Sequence, residues 1–66
     1  MRIEVEQEED GRWLGEIPDL PGVMAYGQTL EETVARVKAM ALRVMADRLK
    51  HGEAVPGLVD VFSVAA

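Results

Sequence analysis

IPDLPG at Ile17–Gly22, followed closely by GQTLEE at Gly27–Glu32, is the stretch of sequence that decides how this chain is organised. Pro18 and Pro21 fix their own φ angles and disfavour helix at the residues before them, so the first hexapeptide is a rigid connection. In the second hexapeptide, Thr29 can cap a helix, and the glutamate three positions later completes the pattern of a capping box. A helix is therefore expected to begin directly after this stretch.

Three short strands are predicted around the proline-containing loop. Met1–Glu6 alternates apolar and charged side chains, which is the period of a strand with one buried and one solvated face. The dipeptide Asp10-Gly11 predicts a hairpin turn that returns the chain through Arg12–Ile17. A third strand is predicted after the loop, at Val23–Tyr26.

A helix is predicted at Leu30–Lys50, where apolar residues recur at helical spacing and form one stripe that should pack on the sheet. The stripe consists of Leu30, Val34, Val37, Ala41 and Val44. Gly52 is suitably placed to end the helix. Leu58–Val64 is apolar on both faces and is predicted to be a fourth strand.

These elements predict a single α+β domain at residues 1–66, with the order β-β-β-α-β. Three strands in a meander, a returning helix and a last strand parallel to the first give a four-stranded sheet of order 3-2-1-4, because such crossovers are right-handed. One helix covers only one face of this sheet. The open face is expected to carry Glu4, Glu6, Leu14, Glu16, Met24 and Tyr26.

Charge and composition limit the classes of function. Twelve acidic and seven basic side chains give a net charge of −5, which disfavours direct nucleic-acid binding and favours a basic protein partner. With no cysteine and a single histidine, neither a disulfide nor a structural zinc site can stabilise so small a domain, so we expect a homo-oligomer. No stretch is apolar enough to span a membrane and no secretion signal is evident, so we expect a cytoplasmic location.

Several groups of residues resemble the N-terminal domain of the HicB family of antitoxins and its stand-alone small relatives. They are Glu9–Gly11 with the aromatic Trp13, then IPDLPG and GQTLEE, and the tail Gly52–Pro56 is similar to the helix exit of that family. The resemblance covers nearly the whole chain and implies a partial RNase H-like fold. It also implies a role, because such domains bind and neutralise HicA, a small basic toxin that cleaves RNA.

In the HicB family that this chain resembles, full-length antitoxins often add a DNA-binding segment, which is a helix-turn-helix or a ribbon-helix-helix. Here the chain ends at Ala66, so we expect a single HicB-like domain without a separate DNA-binding domain. The expected function is that of an antitoxin or regulatory binding module, without catalysis, cofactor or metal. It would cover the RNA-binding surface of a basic toxin with an acidic face. The alternative is an orphan module that only self-associates.

Two sets of residues are candidates for contacts with other chains. The open sheet face and the adjoining loop supply those for a basic partner: Glu4, Glu6, Glu16, Asp19, Met24 and Tyr26. A second apolar edge of the helix and the last strand supply those for self-association into a dimer or tetramer: Leu42, Met45, Ala46, Leu49 and Phe62.

A small metal-dependent nuclease is a further hypothesis, because an RNase H-like fold raises the question of whether Asp60 and the glutamates of the open face hold Mg²⁺. No basic cluster is present to hold RNA, and an ordinary solvated strand face accounts for these glutamates. His51, just past the helix, is expected to favour the helix dipole rather than to catalyse. Trp13 is expected to be a core residue rather than an anchor for a partner.

Overall fold

The computed structural model of the protein describes residues 1–55 and residue 65, which form an α+β fold. Strands β1 (Glu4–Gln7), β2 (Trp13–Glu16) and β3 (Met24–Gly27) make an antiparallel sheet of order β1-β2-β3, and helix α1 (Leu30–Lys50) follows. The predicted meander and the predicted bounds of the helix are confirmed. The predicted fourth strand, Leu58–Val64, lies outside the described residues.

The proline-containing loop consists of two successive β-turns that place Leu20 in the core. The N–H of Leu20 donates to the carbonyl of Ile17 at 3.0 Å, and the N–H of Val23 donates to the carbonyl of Leu20 at 3.0 Å. Gly22 has a φ of 90°, which a type II turn requires at its third residue, and Pro21 suits the second residue. Leu20 is completely buried, so this loop is part of the core.

Helix α1 begins at the predicted cap. The side-chain oxygen of Thr29 accepts a hydrogen bond from the N–H of Glu32 at 3.1 Å, which satisfies one of the free N–H groups of the first turn. The carboxylate of Glu32 lies 2.6 Å from the guanidinium of Arg36, one turn further along the helix. The guanidinium of Arg36 also donates to the carbonyl of Tyr26 at 2.8 Å, and this bond joins the start of α1 to β3.

Helix α1 ends with a Schellman motif. Gly52 has a φ of 74°, and the N–H of Glu53 donates to the carbonyl of Arg48 at 2.8 Å. His51 occupies the cap position, and its Nδ1 lies 2.8 Å from the carbonyl oxygen of Asp47. The contacts of this histidine are those of a residue that closes the helix.

Helix α1 approaches the sheet closely where β2 and β3 carry glycine. A Cβ atom on Gly15 would lie 2.9 Å from the side chain of Val37, and one on Gly27 would lie 2.9 Å from the backbone nitrogen of Thr33. Thr33 is completely buried, and its hydroxyl donates to the carbonyl of Thr29 at 2.8 Å. The point of closest approach therefore holds a polar residue whose hydrogen bond is made within its own helix.

The buried line of α1 differs from the predicted apolar stripe. Val37 and Ala41 are buried as predicted, but Leu30 is 38% exposed, whereas Thr33 lies outside the predicted stripe and is fully buried. The glycines of β2 and β3 allow the short threonine side chain to approach the sheet. Leu30 lies on the same side of α1 as Val37, and it is exposed at the first residue of the helix. The rest of the buried core cluster comes from the loop and its ends: Ile17, Leu20 and Val23.

Replacing Gly27 with alanine tests this close approach. The added Cβ would meet the backbone of Thr33, which cannot move aside without shifting α1, so we expect Gly27→Ala to lower the free energy of unfolding by about 1–3 kcal/mol. Urea denaturation measures this change. The matched control is Gln28→Ala, at the next and exposed position, which should alter stability by less than about 0.5 kcal/mol. Equal stability of the two variants would contradict the proposed packing.

Candidate functional site

The face of the sheet opposite α1 combines carboxylates with apolar side chains. Side chains alternate between the two faces along each strand, and Gly15 and Gly27 identify the face that α1 covers. The strand register places the remaining side chains on the opposite face in two cross-strand rows, Glu4–Glu16–Met24 and Glu6–Leu14–Tyr26. These are the six residues that the sequence pattern assigned to the open face.

Two carboxylates lie directly opposite each other in this arrangement. Glu4 on β1 is the register partner of Glu16 on β2, and like charges in that position are unfavourable. Arg2 lies beside the pair, with its guanidinium 2.7 Å from the carboxylate of Glu4. This contact is solvent-exposed and therefore weak, so the face keeps a concentrated negative charge.

Exposed apolar surface adjoins the carboxylates. Met24 is 44% exposed and Tyr26 is 42% exposed, both on β3. The guanidinium carbon of Arg12 lies 4.6 Å from the centre of the Tyr26 ring, which is within the range of a cation–π contact. Arg12 is not among the residues expected on this side of the sheet, although its position next to the hairpin turn is a signal for it.

Asp19 lies at the edge of the open face. It is exposed, and together with Pro18, Arg2 and Glu4 it lines a shallow depression of about 260 Å³. A second depression of about 430 Å³ covers the face itself, and Glu4 borders both. The structure thus brings the predicted loop residue next to the predicted strand residues.

Charge is divided unequally between the two layers of the molecule. Residues 1–28, which contain the sheet, carry seven acidic and two basic side chains, a formal charge of −5. Helix α1 carries five basic and three acidic side chains, a formal charge of +2. The sheet layer therefore carries a charge equal to the net charge of the whole chain, −5, on fewer than half of its residues.

The hairpin between β1 and β2 extends the acidic surface. The N–H of Glu8 donates to the carbonyl of Arg12 at 2.7 Å, which leaves a three-residue loop at residues 9–11, and Gly11 at its end has the positive φ, 91°, that such a loop requires. The carboxylate of Asp10 accepts hydrogen bonds from the N–H and the guanidinium of Arg12 at 3.1 and 2.9 Å. These bonds from Arg12, first from its backbone and then from its side chain, lower the pKa of Asp10. Glu8 and Glu9 continue the acidic run along the loop.

The carboxylates of the described part of the chain do not form a metal site. Among residues 1–55 and 65, no three histidine, cysteine, aspartate or glutamate side chains are grouped so that they could hold a metal ion. Asp60, the further carboxylate that the nuclease hypothesis uses, lies outside this part. Within the same residues, no helix has the length and apolarity needed to cross a membrane.

Of the five residues predicted for self-association, three are exposed and one is half-buried. Leu42 and Leu49 are 64% and 52% exposed, and Ala46 is exposed between them. Met45 is half-buried and packs against the core cluster. Phe62 lies outside the described residues. The helix edge thus presents two large apolar side chains to the surroundings.

Comparison with protein families gives a match to a family model. The family model described as UPF0150-like matches residues 2–56, a range that includes β1, β2, β3, the proline-containing loop and α1. That description names no activity and no partner. Neither the curated proteins nor the solved structures gave a match.

Neutralising one member of the Glu4–Glu16 pair tests the electrostatic description of the face. We expect Glu16→Gln to leave the free energy of unfolding unchanged or to raise it by up to about 1 kcal/mol, because it removes a like-charge contact across the strands. Thermal and urea denaturation at low salt measure the change, with Glu53→Gln after the helix as the charge-matched control. A loss of more than about 1 kcal/mol in Glu16→Gln would show that the carboxylate makes a stabilising contact.

The stability of the hairpin should depend on pH through the carboxylate of Asp10. Its pKa is lowered in the folded state, so its contribution to stability is fully present above the unfolded pKa of about 3.9 and is lost as the pH falls through the lower folded value. Carboxyl ¹³C shifts recorded during an acid titration should show this lowered pKa. The variant Arg12→Gln should raise it toward the ordinary value, and an unchanged titration would refute the role of the guanidinium.

Proposed function

The chain belongs to the UPF0150-like family, and we propose that it is a HicB-like antitoxin or a related regulatory module that binds a small basic protein. The partner is an RNA-cleaving toxin of the HicA type. The observation that carries this proposal is the open face of the sheet, where Glu4, Glu6 and Glu16 lie among exposed apolar side chains. The resemblance of IPDLPG and GQTLEE to HicB antitoxins supplies the identity of the partner class.

The chemistry of the face suits a protein rather than a small molecule. Its depressions are shallow and open, whereas small-molecule sites are concave and enclose most of their ligand. Apolar patches beside charged groups are typical of protein interfaces, where aromatic side chains and methionine are enriched. Met24 and Tyr26 supply such contacts on β3, and the carboxylates of β1 and β2 supply the charge.

Inhibition follows because RNA and this chain compete for the same basic surface of the toxin. A protein that binds RNA must present basic side chains to the phosphate backbone. An acidic sheet face attracts the same side chains and speeds the encounter of the two proteins. Once bound, the face covers the RNA-binding surface, so the toxin is inhibited by exclusion of RNA, without any reaction carried out by this chain.

The location of the carboxylates on a sheet also favours binding of a basic partner. Strands hold their carboxylates at fixed spacings, about 5 Å between directly opposite residues, so several arginine or lysine side chains of a partner can be bound at once. The contacts within the chain leave room for this, because Arg2 pairs only with Glu4 in the described residues and that contact is exposed. A basic partner would also relieve the repulsion between Glu4 and Glu16.

A titration of RNA cleavage tests the proposal. A HicA-type ribonuclease from the same organism is assayed with increasing amounts of the purified chain, and we expect cleavage to stop at a fixed stoichiometry. The double variant Glu4→Gln with Glu16→Gln should raise the dissociation constant by about tenfold or more, equivalent to about 1.4 kcal/mol. Affinity should also fall as salt is raised, because the attraction is between exposed charges.

The matched control is the double variant Glu31→Gln with Glu53→Gln, which removes the same charge outside the open face and should inhibit like the unmodified chain. Equal loss of affinity in both double variants would mean that net charge, rather than the open face, determines binding. Absence of binding and inhibition by the unmodified chain would refute the proposal. RNA cleavage by the chain alone, abolished by Glu4→Gln, would instead support the nuclease hypothesis.

A further inference from the structure

A regular line of apolar side chains follows the solvent side of α1. Five residues recur at alternating spacings of four and three, and all five are exposed: Ala35, Ala39, Leu42, Ala46 and Leu49. This is the spacing of the contact positions of paired helices. We call these five residues the helix seam.

The helix seam is separate from the line that packs on the sheet. At about 100° per residue, the seam is centred roughly 160° around α1 from the buried residues Thr33, Val37 and Ala41. Leu42 and Leu49 have more than half of their surface exposed, although they carry no polar atoms in their side chains. The packing of this single domain therefore leaves the seam without a partner among the described residues.

We propose that the helix seam binds the helix seam of a second copy of the chain, forming a two-fold symmetric dimer with the sheets on the outside. A two-fold dimer uses the same surface on both copies, so the surface must be complementary to itself. The alternation of leucine and alanine meets this condition when the helices run antiparallel. Leu42 then faces Ala46 of the second copy, and Leu49 faces Ala39, so each large side chain fits over a small one.

The distribution of charge favours this pairing over one through the sheets. Sheet-to-sheet association would bring two layers of charge −5 into contact. Helix-to-helix association separates these layers by roughly 25–30 Å, because each packed layer adds about 10 Å. That distance exceeds the Debye length of about 8–10 Å several times over, so the repulsion is screened. The acidic face also stays free in the dimer for a basic partner.

Salt has opposite effects on the two surfaces. The seam is apolar, and basic side chains of α1 such as Arg43 and Lys50 flank it, so added salt screens their repulsion and should strengthen the dimer. Binding of a basic protein to the acidic face should weaken as salt is raised. The dimer and the toxin contact can therefore be measured and rejected independently of each other.

Sedimentation of the purified chain is the first test. We expect twice the mass of one chain, and we expect Leu42→Glu to raise the dimer dissociation constant by about 30-fold or more, as at an interface hot spot. The control Gln28→Glu adds the same charge at an exposed position before α1 and should leave the mass unchanged. Circular dichroism should show native helix content in both variants.

Cross-linking is the second test, and the absence of native cysteine makes it specific. With a short bis-maleimide, Leu42→Cys should give a covalent dimer, whereas Asp47→Cys, on the other side of α1, should stay monomeric. Mixing Ala39→Cys with Leu49→Cys should give a disulfide between the two proteins. A monomeric unmodified chain would overturn the proposal. So would a dimer that neither Leu42→Glu nor cross-linking affects.

Discussion

The contact of Thr33 with the glycines of the sheet determines which surfaces of this molecule stay free. Gly15 and Gly27 lie on the same face of the sheet, and only at such positions can the backbone of a helix come so close. The cap at Thr29 fixes where α1 begins, and the hydroxyl of Thr33 donates to the carbonyl of Thr29. The first turn of α1 thus determines both where the helix begins and how closely it approaches the sheet.

Two free surfaces follow from that geometry. The helix covers one face of the sheet formed by β1, β2 and β3, and among residues 1–55 nothing covers the other face, where the glutamates lie in fixed cross-strand rows. A helix of 21 residues is roughly 32 Å long, whereas a strand of four residues is roughly 13 Å long. The second half of α1 therefore extends past the strands, and Leu42 and Leu49 lie in that half.

Local signals made the elements predictable, and contacts between elements made the packing unpredictable. The caps at Thr29 and Gly52 depend only on neighbouring residues, and they gave the bounds of α1 correctly. The burial of Thr33 depends on which strand residues lack a Cβ, and that is not visible in the helix sequence. The burial of Leu20 is not predictable in the same way, because its position between two prolines predicts a connecting loop and does not indicate that its side chain enters the core.

The candidate site was also predictable where it depends on the pattern along one strand, and unpredictable where it depends on the pairing of two strands. The alternation of side chains along a strand placed Glu4, Glu6 and Glu16 on one face from sequence alone. That Glu4 lies opposite Glu16 depends on the register, which the three-residue hairpin loop sets. The stacking of Arg12 on Tyr26 also follows from this register and was missed for that reason.

An acidic sheet face has a cost in stability that a second surface can offset. Opposed carboxylates and half-exposed Met24 and Tyr26 are unfavourable in the isolated chain, and the domain has only a small core with no disulfide. Burial of the helix seam in a dimer would add stability by mass action without using the sheet. A binding face can then stay charged and partly apolar, because the apolar contacts that stabilise the fold lie on the opposite side of the molecule.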